Sequence, residues 1–143
     1  MFKKRATSVV DLAVDSKNFT KLVEAIKQAD LVDTLKGNGP FTVFAPNDKA
    51  FDKLSRETWG TLMKPENKNE LQNILKLHVV NGRKSAKDVL GASSMKMLDG
   101  TSLSIKKEGK QPRIGEARII QTDLEAENGV IHEIDRVLMR DEA

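Results

Sequence analysis

The stretch GPFTVFAPNDKAF, residues 39–51, joins a strand to a helix with no loop between them. FTVFA is a run of aromatic and β-branched residues, which favours a strand, and Pro46 ends that run. Asn47 then stands where a helix cap belongs, ahead of the helical segment DKAFDKL. Such a sharp turn has two explanations. It can carry catalytic chemistry, or it can be an architectural joint that holds a helix against the end of a sheet.

The residue types at the turn argue against catalysis. A nucleophile elbow has the pattern Gly-x-Ser-x-Gly, whereas the turn here reads Ala45-Pro46-Asn47-Asp48, without Ser, Thr or Cys. The segment GNGP, residues 37–40, lacks the Lys-Ser/Thr of a phosphate loop and precedes a strand instead of a helix. We therefore predict no catalytic residues and a protein that is not an enzyme.

The composition of the chain sets broad limits on its function. The 143 residues predict one domain, 1–143, with a flexible N-terminal segment, 1–7. The net charge of +3 is too small to favour nucleic acid as a partner, and no run approaches the about 18 apolar residues of a membrane span. Cysteine is absent, so no disulfide holds the fold together. We expect a monomer that does not insert into a membrane.

The pattern of apolar residues divides the chain into a helical half and a β-rich half. In the first half apolar residues recur at helical spacing, Asp30 stands where it can cap a short helix, and Gly37 stands where it can end that helix in the left-handed conformation. The second half holds strand-like runs separated by DG, EGKQP and EN. This order predicts an α+β fold in which strand 41–45 shares a sheet with strand 130–138.

The two histidines raise the question of a metal site. Alternation along GVIHEI places His132 on the face of Val130 and Ile134, while Glu133 points the other way. A lone histidine on an apolar face is typically a core residue with backbone partners. His78, in the segment LKLHVV, is the other histidine, and no third ligand accompanies the pair. We predict that His132 is buried and hydrogen-bonded, with no metal and no cofactor.

Three blocks occur in the order seen in fasciclin domains: GPFTVFAPNDKAF (39–51), LKLHVVNGR (75–83) and NGVIHEIDRVLM (128–139). The chain resembles this family from Val9 to Leu138. The resemblance implies a fasciclin-like fold, a wedge of antiparallel strands flanked by an N-terminal cluster of helices, and it favours the architectural joint at 45–48. The residues that match the structural motif of the family are Phe41, Thr42, Phe44, Ala45, Pro46, Asn47, Asp48, Phe51, Asn128, Gly129 and His132.

The resemblance also implies a function. Fasciclin domains are adhesion modules, so we expect an extracellular, periplasmic or cell-surface protein that binds a protein or glycan, similar to single-domain bacterial members. Two pairs of residues match recognition elements of animal members. Asp123-Leu124 corresponds to an Asp-Ile pair of those members. Leu77-His78 corresponds to a Tyr-His pair, with leucine in place of the tyrosine. The segment QTDLEAENG around the first pair reads as a turn-rich surface segment.

Two alternatives stay open. Some algal members of the family carry carotenoid, which makes a small apolar ligand an option, although the chain has only five Phe, one Trp and no Tyr to enclose it. A purely structural domain without a ligand is the other. The glycan option has its own candidate site, a basic hairpin tip formed by Lys106, Lys107, Lys110 and Arg113.

Overall fold

The structure, a computed structural model, describes residues 8–16, 18–37, 40–98, 100–108, 111–115, 117–126 and 128–138. The segment 1–7, predicted to be flexible, lies outside these residues. The helices of the structure are α1 (Val9–Ser16), α2 (Thr20–Gln28), α3 (Val32–Lys36), α4 (Asp48–Asp52), α5 (Arg56–Leu62), α6 (Lys68–Lys76, after a 3₁₀ turn at Pro65–Asn67) and α7 (Ala86–Leu90). Its strands are β1 (Phe41–Pro46), β2 (Val79–Asn81), β3 (Ser94–Lys96), β4 (Ser102–Glu108), β5 (Gln111–Ile114), β6 (Ala117–Ala126) and β7 (Gly129–Ile134).

The strands form one sheet in the order β2-β1-β7-β6-β5-β4-β3, which confirms the α+β prediction. Strand 41–45 lies directly beside β7 in this sheet, as expected, but the strand predicted at 130–138 ends at Ile134. The two strands are parallel, with Phe41 opposite Gly129, whereas we expected antiparallel strands. The remaining described pairs are antiparallel. A parallel pair needs a long crossover, and here most of the chain lies between the two strands.

Buried apolar side chains form two clusters on opposite faces of the central strands. Val43 and Ala45 of β1 belong to the cluster beneath the helices, whereas Phe44 between them belongs to the cluster enclosed by the β-rich half. Every residue of β7 is buried. Glu133 therefore points away from His132, as alternation predicts, but toward a second covered face instead of open solvent.

The two ends of the short helix α3 correct two predictions. Asp30 has φ +62° and ends α2, because its N–H donates to Lys27 O at 3.1 Å and that of Leu31 donates to Ile26 O at 3.0 Å. Leu31, not Asp30, precedes α3, and its side chain makes no capping hydrogen bond. Gly37 ends α3 in an extended conformation, with φ −69° and ψ −168°, instead of a left-handed one.

The β-rich half also differs from the sequence pattern. PRIGEARIIQ was expected to be one strand-like run, but it turns at Gly115, where φ is +57°, and supplies both β5 and the start of β6. β6 then continues to Ala126, so the segment predicted to be turn-rich at 121–126 is a strand. Its pairing with β7 shifts register between Ile119 and Gln121 and again between Gln121 and Leu124. Such bulges bend a strand and redirect its side chains.

Candidate interaction surface

The turn at 45–48 is held by hydrogen bonds that occupy its polar side chains. Asn47 Oδ1 accepts from the Ala50 N–H at 2.8 Å and caps α4, as predicted, while Asn47 Nδ2 donates to Glu133 Oε2 at 2.8 Å. The carboxylate of Asp48 accepts from Thr20 Oγ1 at 2.7 Å and from the Lys21 N–H at 2.9 Å. These bonds connect β1, α4, α2 and β7, which is the arrangement of a structural joint.

The apolar residues of the same motif anchor the joint in the core. Thr42, Phe44, Ala45 and Pro46 are buried along β1, with Phe41 half-buried at its start. Phe51 on α4 is buried against Trp59 of α5, with ring centroids 5.3 Å apart.

Asn128 and Gly129 form a second joint, between the β6–β7 turn and the helices. Asn128 Oδ1 accepts from the Val9 N–H at 2.9 Å, and its Nδ2 donates to Leu35 O at 2.7 Å and to Gly37 O at 2.9 Å. Gly129 lies so close to β1 that a Cβ there would overlap the carbonyl oxygen of Phe41. Only glycine fits at this position.

His132 lies in the core as predicted. It is 1% exposed, its ring centroid is 5.6 Å from that of Phe44, and its Nε2 donates to Lys84 O at 2.7 Å. Thr42 reaches the same loop, because its Oγ1 donates to Gly82 O and accepts from the Lys84 N–H, both at 2.7 Å. The histidine therefore helps to hold the loop after β2 against β7. Within the described residues, no group of three or more metal-ligating side chains is found.

The two predicted recognition pairs lie in different environments. Leu77 and His78 are each 1% exposed. His78 Nε2 accepts from the Leu138 N–H at 2.8 Å, so the proton is on Nδ1, which donates to Ile74 O at 2.7 Å. This pair lies inside the molecule, where it ties the end of α6 to the C-terminal segment.

The other pair, Asp123-Leu124, lies on β6 at the second register shift, which falls between Gln121 and Leu124, and the side chain of Asp123 lies outside the described part of the structure. Leu124 is half-buried, sits opposite Ile131 and packs against the cluster beneath the helices. Its neighbours Gln121 and Glu125 on the same strand are exposed. We call residues 121–125 the β6 surface. It is not continuous with Leu77 and His78, because those two residues are enclosed in the core.

The β6 surface borders a cleft that the sequence did not indicate. It has a volume of about 290 Å³ and is lined by Arg83, Ser85, Glu125 and Val130. Arg83 donates to Gly129 O at 3.0 Å and to Ala126 O at 2.9 Å, and its guanidinium lies 3.8 Å from the Glu125 carboxylate. Arg83 comes two residues after the end of β2, and nothing in the local sequence signals that it reaches β6.

The family follows from this architecture and from comparison with known proteins. The fasciclin domain family matches residues 17–140, so the chain belongs to the fasciclin domain family. It is similar to Protein sll1483 of Synechocystis, with 41% identity over 134 residues that cover 94% of this chain and 74% of that protein.

The fold is also that of a solved adhesion protein. The structure superposes on a FAS1 domain pair from the insect cell adhesion molecule fasciclin I with a TM-score of 0.83 and 20% identity. The match covers 95% of this chain and 52% of that one, so the chain corresponds to about half of the insect pair. The transforming growth factor-beta-induced protein ig-h3 of Sus scrofa is 33% identical over 131 residues, 92% of this chain and 19% of that protein. Fasciclin domains thus occur in cell adhesion proteins, and this chain has the domain of that class.

None of the helices in the described part of the chain has the length and apolar character needed to span a bilayer.

Proposed function

We propose that the chain is a non-enzymatic interaction module, one fasciclin domain that binds a protein or glycan at the cell surface, in the matrix or in the periplasm. The observation that carries this proposal is membership of a family with members in cell adhesion. The geometry of the strand–helix joint supports the non-enzymatic part of this proposal. Asn47 and Asp48, the polar residues of the sharp turn, use their side chains for capping and for tying elements together.

The contact region in this proposal is the β6 surface. Leu124 is half-buried, so its inner part is held by the core while its outer part remains available to a partner. An apolar side chain in this state gains further burial on binding, which is a property of anchor residues at interfaces. Asp123 precedes it and offers a carboxylate of the type that pairs with a cation or with an arginine.

Leu77 and His78 have a supporting role in the proposal. Their burial excludes direct contact in the described conformation, but the two hydrogen bonds of His78 fix the segment that ends at Leu138. We propose that this pair stabilises the scaffold and that recognition belongs to Asp123 and Leu124.

The alternative of an apolar ligand finds less support. An apolar hollow beside α3 and α6 has a volume of about 20 Å³ and is lined by Leu31, Thr34, Leu35, Leu75, Lys76, Val79 and Leu98. By the same measure a single water needs about 10–15 Å³, so this hollow has room for about one water and not for a polyene.

The double variant Asp123→Ala, Leu124→Ala tests the proposal in a cell and matrix adhesion assay with thermal melting in parallel. We expect adhesion to fall at least about tenfold while the melting temperature changes by only a few degrees. Leu98→Ala is the matched control, because Leu98 is 38% exposed and lies outside the β6 surface.

Retained adhesion in the double variant would contradict the proposal, as would an equal loss in the Leu98→Ala control. A large fall in melting temperature would assign the pair a structural role instead.

A further inference from the structure

A second cleft lies at the other end of β6, where α4 begins. Its volume is about 350 Å³, and it is lined by Asn18, Asn47, Asp48, Lys49, Ile120 and Glu133. That volume is at the lower end of the roughly 300–1,000 Å³ typical of ligand sites, which suits one or two side chains.

Glu133 gives the cleft a buried carboxylate with spare acceptor capacity. The residue is 7% exposed, and its Oε2 accepts from Asn47 Nδ2. Among the described residues, no hydrogen bond or ion pair reaches Oε1. A carboxylate has about four lone-pair sites, and a buried one is costly unless it is paired. The neutral Asn47 amide occupies one of these sites and Oε1 faces the open cleft, so a cation that enters the cleft would give the carboxylate an ionic partner.

Neither of the other charged residues in the described lining, Asp48 and Lys49, pairs with Glu133. Asp48 directs its two oxygens to Thr20 and to the Lys21 N–H, so it is committed to the start of α2. Lys49 lies at the cleft with an exposed side chain and forms no ion pair within 4.0 Å with a carboxylate of the described residues. With one hydrogen bond against the two of Asp48, Glu133 is thus the more available carboxylate of the described lining.

Ile120 supplies an apolar wall beside this carboxylate. It is the extra residue at the first register shift of β6, between Ile119 opposite Ile134 and Gln121 opposite Glu133. Ile119 is buried, whereas the bulge leaves Ile120 47% exposed on the cleft. Bulges of this kind commonly redirect a side chain at a functional position.

An apolar wall next to a single carboxylate suits a particular ligand chemistry. Lysine and arginine carry a positive head on a methylene stem, so the head can pair with Glu133 while the stem covers Ile120. A divalent cation needs several oxygen ligands, and the described residues contain no such group. We infer that this cleft receives a lysine or arginine side chain of a partner protein. The inference rests on the proposed function because its occupant belongs to a protein partner.

The test is an NMR titration of the full chain with the peptide acetyl-Gly-Leu-Lys-Leu-Gly-amide. We expect saturable shifts of the amide signals of Asn47, Ile120 and Glu133. The same peptide with Nε-acetyl-lysine should bind at least about tenfold more weakly, because it lacks the charge. n-Butylammonium is a third probe and should bind more weakly than the lysine peptide, because it has the stem and charge of a lysine side chain but lacks the peptide backbone and the flanking leucines.

Two variants test whether the peptide binds in the cleft, and a third is their control. Glu133→Gln keeps an oxygen for Asn47 and removes the charge, so we expect a melting temperature near that of the wild type and loss of peptide binding. Ile120→Ser changes an exposed residue and should weaken binding without altering any charge. Glu24→Gln removes an exposed carboxylate of α2, outside both this cleft and the β6 surface, and should bind the peptide as the wild type does.

Unchanged binding in Glu133→Gln and Ile120→Ser, or equal binding of the acetylated peptide, would overturn the inference. n-Butylammonium binding as tightly as the peptide would overturn the assignment to a protein partner. The Asp123→Ala, Leu124→Ala variant should retain peptide binding even if it loses adhesion. That difference separates this inference from the proposed β6 contact.

Discussion

Gly129 shows how a single residue determines the approach of two strands. β1 and β7 are central and parallel, and at Gly129 the backbone of β7 touches that of β1 so closely that no side chain fits. The neighbouring Asn128 adds three hydrogen bonds to the helical half. The conformation of the helices and the pairing of the sheet are therefore coupled at two adjacent positions.

Replacement of Gly129 by Ala should lower the free energy of unfolding by on the order of 3 kcal/mol, the upper end of ordinary single substitutions. The physical reason is overlap of the new Cβ with the Phe41 carbonyl and its 3.0 Å approach to Val9 Cγ1, neither of which relaxes without separating β1 from β7. Chemical denaturation measures the change.

Gly60→Ala is the matched control for that substitution. Gly60 lies within α5 with no atom within 4 Å of an added Cβ, so Ala should stabilise the protein by about 0.5–1 kcal/mol through helix propensity. A Gly129→Ala protein as stable as the wild type would contradict the described contact between β1 and β7.

At the scale of elements, α4 depends on one side chain that serves two partners. Asn47 is 8% exposed, caps α4 through Oδ1 and donates to Glu133 through Nδ2. Ser55 caps the next helix, α5, by accepting from the Thr58 N–H at 3.0 Å, but it is exposed. Asn47 and Ser55 therefore cap their helices in the same way, but Asn47 is buried and also donates to Glu133, whereas Ser55 is exposed.

We predict that Asn47→Ala lowers the free energy of unfolding by about 2–4 kcal/mol, about 1 from the lost cap and the rest from the stranded Glu133 carboxylate. Ser55→Ala should lower it by about 1 kcal/mol, because it removes a cap alone. Equal costs for the two substitutions, measured by urea denaturation, would show that the Asn47–Glu133 hydrogen bond contributes nothing to stability.

Local chemistry allowed some elements to be predicted and left others undetermined. The cap at Asn47 and the burial of His132 follow from short-range patterns, so the sequence indicated both. The parallel pairing of β1 with β7 joins residues more than 80 positions apart, and no local pattern specifies the direction of such a pair. Asp30 was misassigned because aspartate suits both a helix cap and the left-handed conformation that it adopts here.

The candidate sites were likewise predictable from the sequence only in part. The family pattern indicated Asp123 and Leu124 but not that β6 continues through them as a bulged strand. The cleft at Glu133 had one available signal, the adjacent pair Ile119-Ile120, which strict alternation cannot bury on one face. Glu133 itself read as the outward residue of a strand, and only the position of β7 inside the sheet explains its burial.

At the scale of the whole molecule, two joints, at 45–48 and at Asn128-Gly129, connect the sheet to the helices, and both candidate contact regions lie along β6. The β6 surface includes Leu124 toward the end of that strand, and it adjoins Ile120, which lies beside the Glu133 cleft. In the proposed function a partner lies along β6 and contacts both regions. Two contacts on one strand then act together, because binding at the first raises the effective concentration at the second.

Site-specific photo-crosslinking tests the central claim, that recognition occurs along β6, most directly. A photoreactive amino acid is placed at Gln121 or Glu125, both exposed on β6, and separately at Val14 on α1 or Ser104 on β4, which are exposed elsewhere. The full chain is applied to cells of the organism that encodes it and irradiated. We predict discrete adducts from positions 121 and 125 and none from 14 and 104. Adducts of equal yield from all four positions, or from 14 and 104 alone, would contradict recognition along β6.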